Sequence, residues 1–113
     1  MRRMNVAAAL ADDTRLRIVE RLAREDLSAG DLAAGFETSR PAVSRHLRVL
    51  REAGLVAVEQ RGQQRIYRLD PQPLAELETW IADVRRFWSQ RLDALDTEIE
   101  RGKRARRATE ENP

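Results

Sequence analysis

Cysteine is absent from this 113-residue chain, and His46 is its only histidine. Without thiols there can be no disulfides, thiolate metal sites or redox-sensing cysteines, and one imidazole leaves almost no ligand set for a transition metal. Aromatic residues make up only 4% of the chain, which suits one domain with a modest core. We find no apolar run long enough to span a membrane and no secretory signal pattern, so we expect a cytoplasmic protein with no cofactor, metal or membrane partner.

Signs of catalysis are missing as well. No cluster of serine, cysteine or carboxylate residues accompanies His46, and no glycine-rich phosphate loop is present. On a helical wheel His46 falls on the apolar side of its helix, near Ala42 and Val49. We therefore expect a packed, hydrogen-bonded histidine rather than a metal ligand or general base, and we do not expect an enzyme.

Positive charge is concentrated in four parts of the chain. Residues 39–54 contain four arginines against one glutamate, and basic residues also exceed acidic ones in 1–11, 55–70 and 101–113. The segments 12–38 and 71–100 are acidic. Such segregation is typical of a protein that binds a polyanion. The preference for arginine over lysine has a second explanation, a GC-rich genome.

The first third of the chain predicts three helices. Residues 4–11 are strong helix formers, and a helix over about 13–24 carries an apolar stripe. A short helix over about 29–35 follows, with Ser28 as its N-cap. The stripe and the candidate caps of the second helix are Leu16, Val19, Leu22 and Ala23, and Asp12, Asp13 or Thr14.

The rest predicts a long helix, a hairpin and a last helix. The long helix opens at Thr38 and Ser39 and stops at Gly54, where a left-handed residue is favoured. Two strands, about 55–60 and 64–69, flank a Gly62-Gln63 turn, and the last helix covers about 73–100. This order predicts a mainly α protein with a small β-hairpin: a winged helix-turn-helix of five helices and a two-stranded wing.

The helix after Ser39 has the features of a DNA recognition helix. If Val43, Leu47 and Leu50 face the core, the arginines fall on the opposite side. Arginine and serine pair with base edges in the major groove, arginines further along contact phosphates, and basic wing residues reach the minor groove or its phosphates. The predicted DNA-binding residues are Ser39, Arg40, Pro41, Ser44, Arg45, Arg48, Arg51, Arg61 and Arg65. The alternative, a solvated basic face, is disfavoured by the adjoining turn, the glycine stop and the basic wing.

The last helix predicts a homodimer. About 28 residues would extend roughly 42 Å at about 1.5 Å per residue, and the short first helix cannot cover their apolar stripe. A second copy can cover it. The predicted dimer interface is Met4, Leu10, Leu77, Ile81, Val84, Trp88, Leu92 and Leu95. Residues 1–100 are thus expected to form one DNA-binding and dimerisation domain, followed by a charged, disordered tail at 101–113.

Three aromatic residues on this helix, Trp80, Phe87 and Trp88, allow two interpretations. They line a cleft between subunits for a small apolar effector, or they are plain dimer core. We favour the dimer core.

In combination these segments resemble the ArsR/SmtB-type winged-helix repressors over about residues 5–100. The matching stretches are Ala9-Leu10-Ala11-Asp12-Asp13-Thr14-Arg15-Leu16-Arg17-Ile18-Val19, Asp31-Leu32-Ala33, Ser39 to Leu50, Gly54-Leu55-Val56 and Arg65-Ile66-Tyr67-Arg68-Leu69-Asp70. The resemblance implies a homodimer built from the first and last helices, and repression at an operator that a signal relieves. It also implies that Arg40, Pro41, Ser44 and Arg45 face the bases.

The chain departs from the best-known members of that family. The stretch Asp31 to Phe36, which matches the cysteine-bearing helix of the metal sensors, has no thiol, and the last helix has no histidine. Asp13 replaces a usual proline. We therefore predict no metal response of the usual kinds and place the chain nearer the metal-independent branch, which shares the Phe87-Trp88 pair.

The predicted function is that of a nucleoid-associated transcriptional regulator. We expect a sequence-specific repressor that binds an inverted-repeat operator in double-stranded DNA as a homodimer. The alternative is a protein–protein interaction module that docks a partner through its arginine face and has no operator of its own.

Overall fold

The computed structural model describes residues 2–111, with side chains for residues 5–110. The described residues form five helices and three strands, which confirms the winged helix-turn-helix architecture. In chain order these are α1 (Arg2–Ala9), α2 (Asp13–Leu22), β1 (Leu27–Ser28), α3 (Ala29–Ala34), α4 (Arg40–Glu52), β2 (Val56–Arg61), β3 (Gln64–Leu69) and α5 (Gln72–Glu111). The chain divides into two compact units, one reaching Glu78 and the other beginning at Thr79.

Side-chain caps fix where three of the helices begin. The Asp12 carboxylate accepts the backbone N–H of Arg15 at 3.0 Å, which selects Asp12 from the three candidates for the start of α2. Ser28 Oγ accepts the backbone N–H of Asp31 at 3.1 Å, and Ser39 Oγ accepts that of Ala42 at 3.3 Å. Each cap satisfies an amide that has no partner inside its helix.

Gly54 ends α4 as predicted. Its φ of 78° lies in the left-handed region. Its N–H donates to the Arg51 carbonyl at 2.9 Å, and the next N–H, of Leu55, donates to the Leu50 carbonyl at 3.0 Å. This pair of bonds is a Schellman motif, which satisfies the last carbonyls of the helix and directs the chain into β2.

The sheet has three antiparallel strands in the order β1-β3-β2, one more than the two-stranded wing expected from the sequence. The strand that the sequence did not predict is β1, where Leu27 pairs with Tyr67 of β3. Across the hairpin Val58 also pairs with Tyr67, which is buried in the core. Gly62, with a φ of 60°, takes the first central position of the two-residue turn, as in a type II′ hairpin.

The core of the first unit lies between the helices and the sheet. Val43, Leu47 and Leu50 of α4 are buried in it, which confirms the predicted back of that helix. The stripe predicted for α2 is wrong in part, because Ile18 is fully buried whereas Leu16 and Ala23 are exposed. The buried apolar residues are Val6, Ala9, Ile18, Leu22, Leu32, Ala33, Val43, Leu47, Leu50, Ala53, Leu55, Val56 and Tyr67.

Helix α5 is longer than predicted. It continues to Glu111 and crosses the expected domain boundary at residue 100 without a break. The prediction of a disordered tail therefore does not hold for 101–111, while 112–113 lie outside the described residues. The segment lacks apolar periodicity, but arginine, lysine, alanine and glutamate are all good helix formers. In the part of the chain that the structure describes, no helix has the length and apolar character needed to cross a membrane.

Candidate nucleic-acid interface

One face of α4 is fully turned to solvent. Because Val43, Leu47 and Leu50 anchor the opposite side in the core, the helix cannot rotate to hide its polar residues. The exposed face carries Arg40, Ser44, Arg45, Arg48 and Arg51. None of its four arginines has an acidic partner among the described residues. Their positive charge is thus available to an external anion.

The start of α4 is held by the turn after α3. Five residues, 35–39, separate the two helices, and Ser39 caps the second one. Pro41 lies in the first turn, where no helical N–H bond is needed, and its ring is exposed. The guanidinium of Arg40 lies close to α3. Its Nη2 is 3.6 Å from the position that a Cβ atom on Gly30 would occupy. The two helices therefore present Ser39, Arg40 and Pro41 at one exposed end.

The wing arginines are not equivalent. Arg61 Nη2 lies 3.2 Å from Glu59 Oε2, and Arg68 shares the same carboxylate at 3.5 Å. Arg68 also pairs with Asp26 at 3.2 Å. Arg65 is exposed and has no acidic partner among the described residues. Sequence reasoning grouped Arg61 with Arg65, but of the two only Arg61 has a carboxylate beside it among the described residues, that of Glu59.

A groove lies between the end of α4 and the first wing strand. Arg48 and Arg51 line one side of it, and Val56 to Val58 of β2 line the other. Glu52 is also in its lining and was not singled out from the sequence. The two arginines thus lie on the side of the helix nearest the wing.

His46 is packed and hydrogen-bonded, as predicted. Its Nδ1 lies 3.3 Å from Arg15 Nη1 and 3.9 Å from Asp12 Oδ1. Arg15 also donates to the carbonyls of Ala8 and Ala9 at the end of α1. One side chain thus joins α1, α2 and α4. Sequence reasoning missed this role of Arg15, because nothing local links it to a histidine 31 positions away.

The same cluster perturbs one carboxyl group. The backbone N–H of Arg15 lowers the pKa of the Asp12 carboxyl, against an opposing effect of burial, and the nearby charges of His46 and Arg15 lower it further. Asp12 is thereby favoured in its charged form, in which it caps α2.

Comparisons with known proteins agree with this geometry. The helix-turn-helix domain family matches residues 10–59. The chain is 52% identical over 84 residues to the HTH-type transcriptional regulator Rv2034 of Mycobacterium tuberculosis, covering 74% of this chain and 76% of that protein. It is 35% identical over 77 residues to the transcriptional repressor SdpR of Bacillus subtilis, covering 68% and 86%.

A solved structure gives the same answer for the fold. The ArsR-like transcriptional regulator from Rhodococcus sp. RHA1 superposes with a TM-score of 0.76 at 34% identity, covering 83% of this chain and 89% of that one. The chain belongs to the ArsR-type family of winged helix-turn-helix regulators. It is a DNA-binding transcriptional repressor, and the family is one of regulators, not enzymes. Nothing found favours the alternative of a protein–protein module.

The residues predicted for the dimer interface of this ArsR-type regulator fall into three groups. Leu10 and Leu77 are half-buried against the core of their own chain. The side chain of Met4 lies outside the described residues. The other five are exposed along α5, each between 44% and 58%: Ile81, Val84, Trp88, Leu92 and Leu95.

The aromatic residues of α5 are exposed too. Phe87 is 69% exposed, Trp80 is 45% exposed, and the guanidinium of Arg91 lies 5.7 Å from the ring centroid of Trp88. Trp88 and Leu92 line a shallow groove along the helix. Both interpretations of these aromatics, effector cleft and dimer core, stay predictions.

The expected lack of a metal response in this ArsR-type regulator concerns its histidine, cysteine and carboxylate side chains. Among residues 2–111 the structure shows no group of three or more histidine, cysteine, aspartate or glutamate side chains that could hold a metal ion. The expectation of no metal response remains a prediction.

Proposed function

We propose that this repressor binds an inverted-repeat operator as a homodimer, with α4 of each copy in the major groove. The observation that carries the proposal is the face of α4: four arginines without acidic partners in the described part of the chain, on a helix whose back is locked in the core. A phosphate backbone or a guanine edge supplies the missing anionic or acceptor partner. A chromosomal operator also places the protein in the cytoplasm, at the nucleoid.

We assign the residues of this surface to three kinds of contact. Arg40, Ser44 and Arg45 read base edges, with Ser39 and Pro41 setting the start of the helix against the DNA. Arg48 and Arg51, beside the groove to β2, bind phosphates. Arg65 and, more weakly because of Glu59, Arg61 contact the minor groove or its phosphates.

The support for a homodimer is the exposed apolar stripe of α5. Large contiguous apolar patches on a protein surface mark interaction sites. A second copy of the same helix offers a matching patch, and a two-fold interface would use the same residues from both chains. Two recognition helices held roughly 34 Å apart, one turn of DNA, would select an inverted repeat.

The chain offers its own reporter for dimerisation. Both of its tryptophans, Trp80 and Trp88, are exposed on α5. Pairing along α5 should shift their emission to shorter wavelength as the protein concentration rises, in step with the mass measured by analytical ultracentrifugation. The variant Leu92→Glu should stay monomeric, and its tryptophan emission should not shift with concentration. The control Gln90→Glu adds the same charge on the opposite side of the helix and should dimerise normally. If Leu92→Glu dimerises as well as the control, the proposed interface is wrong.

The DNA proposal is tested by nuclease protection of the region upstream of the gene. We expect one protected inverted repeat, with protection lost in high salt. Failure to protect any upstream fragment in dilute buffer would overturn the proposal.

The effector interpretation has its own test. If Trp80, Phe87 and Trp88 form only dimer core, Trp88→Ala should weaken the dimer, and small apolar compounds should not change operator affinity of the unmodified protein. A compound that releases the unmodified protein from its operator, but not a still-dimeric Trp88→Ala variant, would instead establish an effector cleft.

A further inference from the structure

The last turns of α5 carry a dense positive charge that neither the recognition helix nor the wing explains. Residues 101–107 include five basic side chains and no acidic one, and all five are exposed. Lys103 pairs with Glu100 at 3.6 Å. The four arginines have no acidic partner among the described residues. These are Arg101, Arg104, Arg106 and Arg107.

The helical conformation gathers most of this charge on one side. At about 100° per residue, Lys103, Arg104, Arg106 and Arg107 fall within roughly 160° of the helix circumference. Residues 101–107 cover only about 9 Å at about 1.5 Å per residue. Five positive charges over that length approach the charge density of duplex DNA, about one negative charge per 1.7 Å.

The amino-acid composition of residues 101–111 restricts the kind of partner that this segment can bind. The exposed apolar stripe of α5 ends at Ile99, and residues 101–111 contain no apolar side chain larger than alanine. Insertion into a membrane interface or docking in a hydrophobic protein groove would require larger apolar anchors. Binding of a regular polyanion requires only positively charged side chains. Duplex DNA is such a polyanion, and the family of this chain binds DNA.

We propose that residues 101–107 form a second DNA-binding surface, which contacts the phosphates of the duplex without reading its sequence. The proposal rests on the DNA-binding function above. This second surface adds affinity and salt dependence to DNA binding but no base specificity, because phosphate contacts are the same on every sequence.

The variant Arg104→Gln/Arg107→Gln removes two charges and keeps the helix, since glutamine is as good a helix former as arginine. Each lost phosphate contact should reduce the slope of log K against log salt by about 0.9. The slope should therefore fall by about 1.8 per subunit, or roughly 3.6 for a dimer. Between 50 and 200 mM salt, the unmodified protein should then lose roughly 150-fold more affinity than the variant loses. Operator and random duplex should show the same change.

The matched control is Arg17→Gln on α2 combined with Arg24→Gln in the turn that follows it. Both residues are exposed and without an acidic partner in the described chain, so the change in net charge is the same. The control should keep the slope of the unmodified protein. An unchanged slope in the α5 variant, or an equal fall in both variants, overturns the inference while leaving the repressor function intact. Absence of DNA binding by the unmodified protein would instead overturn the proposed function.

Discussion

The guanidinium of Arg15 lies 3.3 Å from Nδ1 of His46, where it connects the first turn of α2 to the middle of the recognition helix. The same guanidinium donates to two carbonyls at the end of α1. The position of α4 relative to α1 and α2 therefore depends on one side chain as well as on the apolar core.

Replacing Arg15 with alanine should destabilise the fold. Three hydrogen bonds are lost, two of them to carbonyls that terminate a helix, and each contributes about 0.5–1.5 kcal/mol. We expect a loss of roughly 1.5–4.5 kcal/mol in the free energy of unfolding, measured by urea denaturation. The control Arg17→Ala, exposed on the same helix, should change it by less than about 0.5 kcal/mol.

A double-mutant cycle tests whether Arg15 and His46 act together. The effects of Arg15→Ala and His46→Ala should be non-additive, with a coupling of at least about 0.5 kcal/mol. Additive effects would show that their contact contributes nothing to stability.

Acid should weaken the start of α2 through Asp12. Because the Arg15 amide lowers the pKa of this carboxyl in the folded state, its stabilising effect is complete above the ordinary aspartate pKa of about 3.9. The effect is lost as the pH falls through the lowered value. Asp12→Ser keeps a cap but cannot titrate, so its unfolding free energy should fall less steeply below about pH 4. Asp12→Ala should be destabilised already at pH 7, where the cap itself is missing. Identical acid profiles for the unmodified protein and Asp12→Ser would contradict this account.

The parts of the fold that sequence reasoning predicted correctly are those set by local chemistry. Ser28 and Ser39 are capping residues whose partners lie three positions away, and Gly54 and Gly62 stand where the backbone needs a positive φ. The arginine face of α4 followed from the helical period once its apolar residues were placed in the core.

The parts that it missed depend on distant partners. Strand β1 is two residues long and exists because Leu27 meets Tyr67, 40 positions away. Ile18 and Leu16 are equally apolar, and only the packing of α2 decides which one is buried. The compensation of Arg61 by Glu59 depends on how the side chains of the wing arrange themselves. The length of α5 was missed for a different reason, since absence of an apolar stripe was given more weight than helix propensity.

Gly54 should be sensitive to substitution. A side chain at a φ of 78° costs about 1–2 kcal/mol, so Gly54→Ala should lower the free energy of unfolding by about that amount, and the melting temperature should fall with it. Gly102→Ala is the matched control. Gly102 lies inside α5, where a Cβ atom would meet open space, and alanine there should be neutral or stabilising. Equal effects of the two substitutions would contradict the assigned role of Gly54.

Arg45 and Arg51 should differ in what they contribute to DNA binding. Arg45→Gln should cost about 1–3 kcal/mol on the operator and little on random duplex, because it removes a base contact. Arg51→Gln should weaken both duplexes alike and reduce the salt slope by about 0.9 per subunit. Titrations of operator and random duplex at several salt concentrations separate the two, and the same pattern for both variants would refute the assignment.

The central claim is that two copies, paired through α5, hold two arginine-bearing recognition helices one DNA turn apart. The most direct test is operator affinity after insertion of about 5 bp between the half-sites, which rotates one of them by about half a turn. We predict that the insertion weakens binding to the level of a single half-site. Bound DNA should then protect only one α4 face per dimer, rather than two, from chemical modification. Unchanged affinity for the altered spacing, or one subunit bound per operator, would contradict the account.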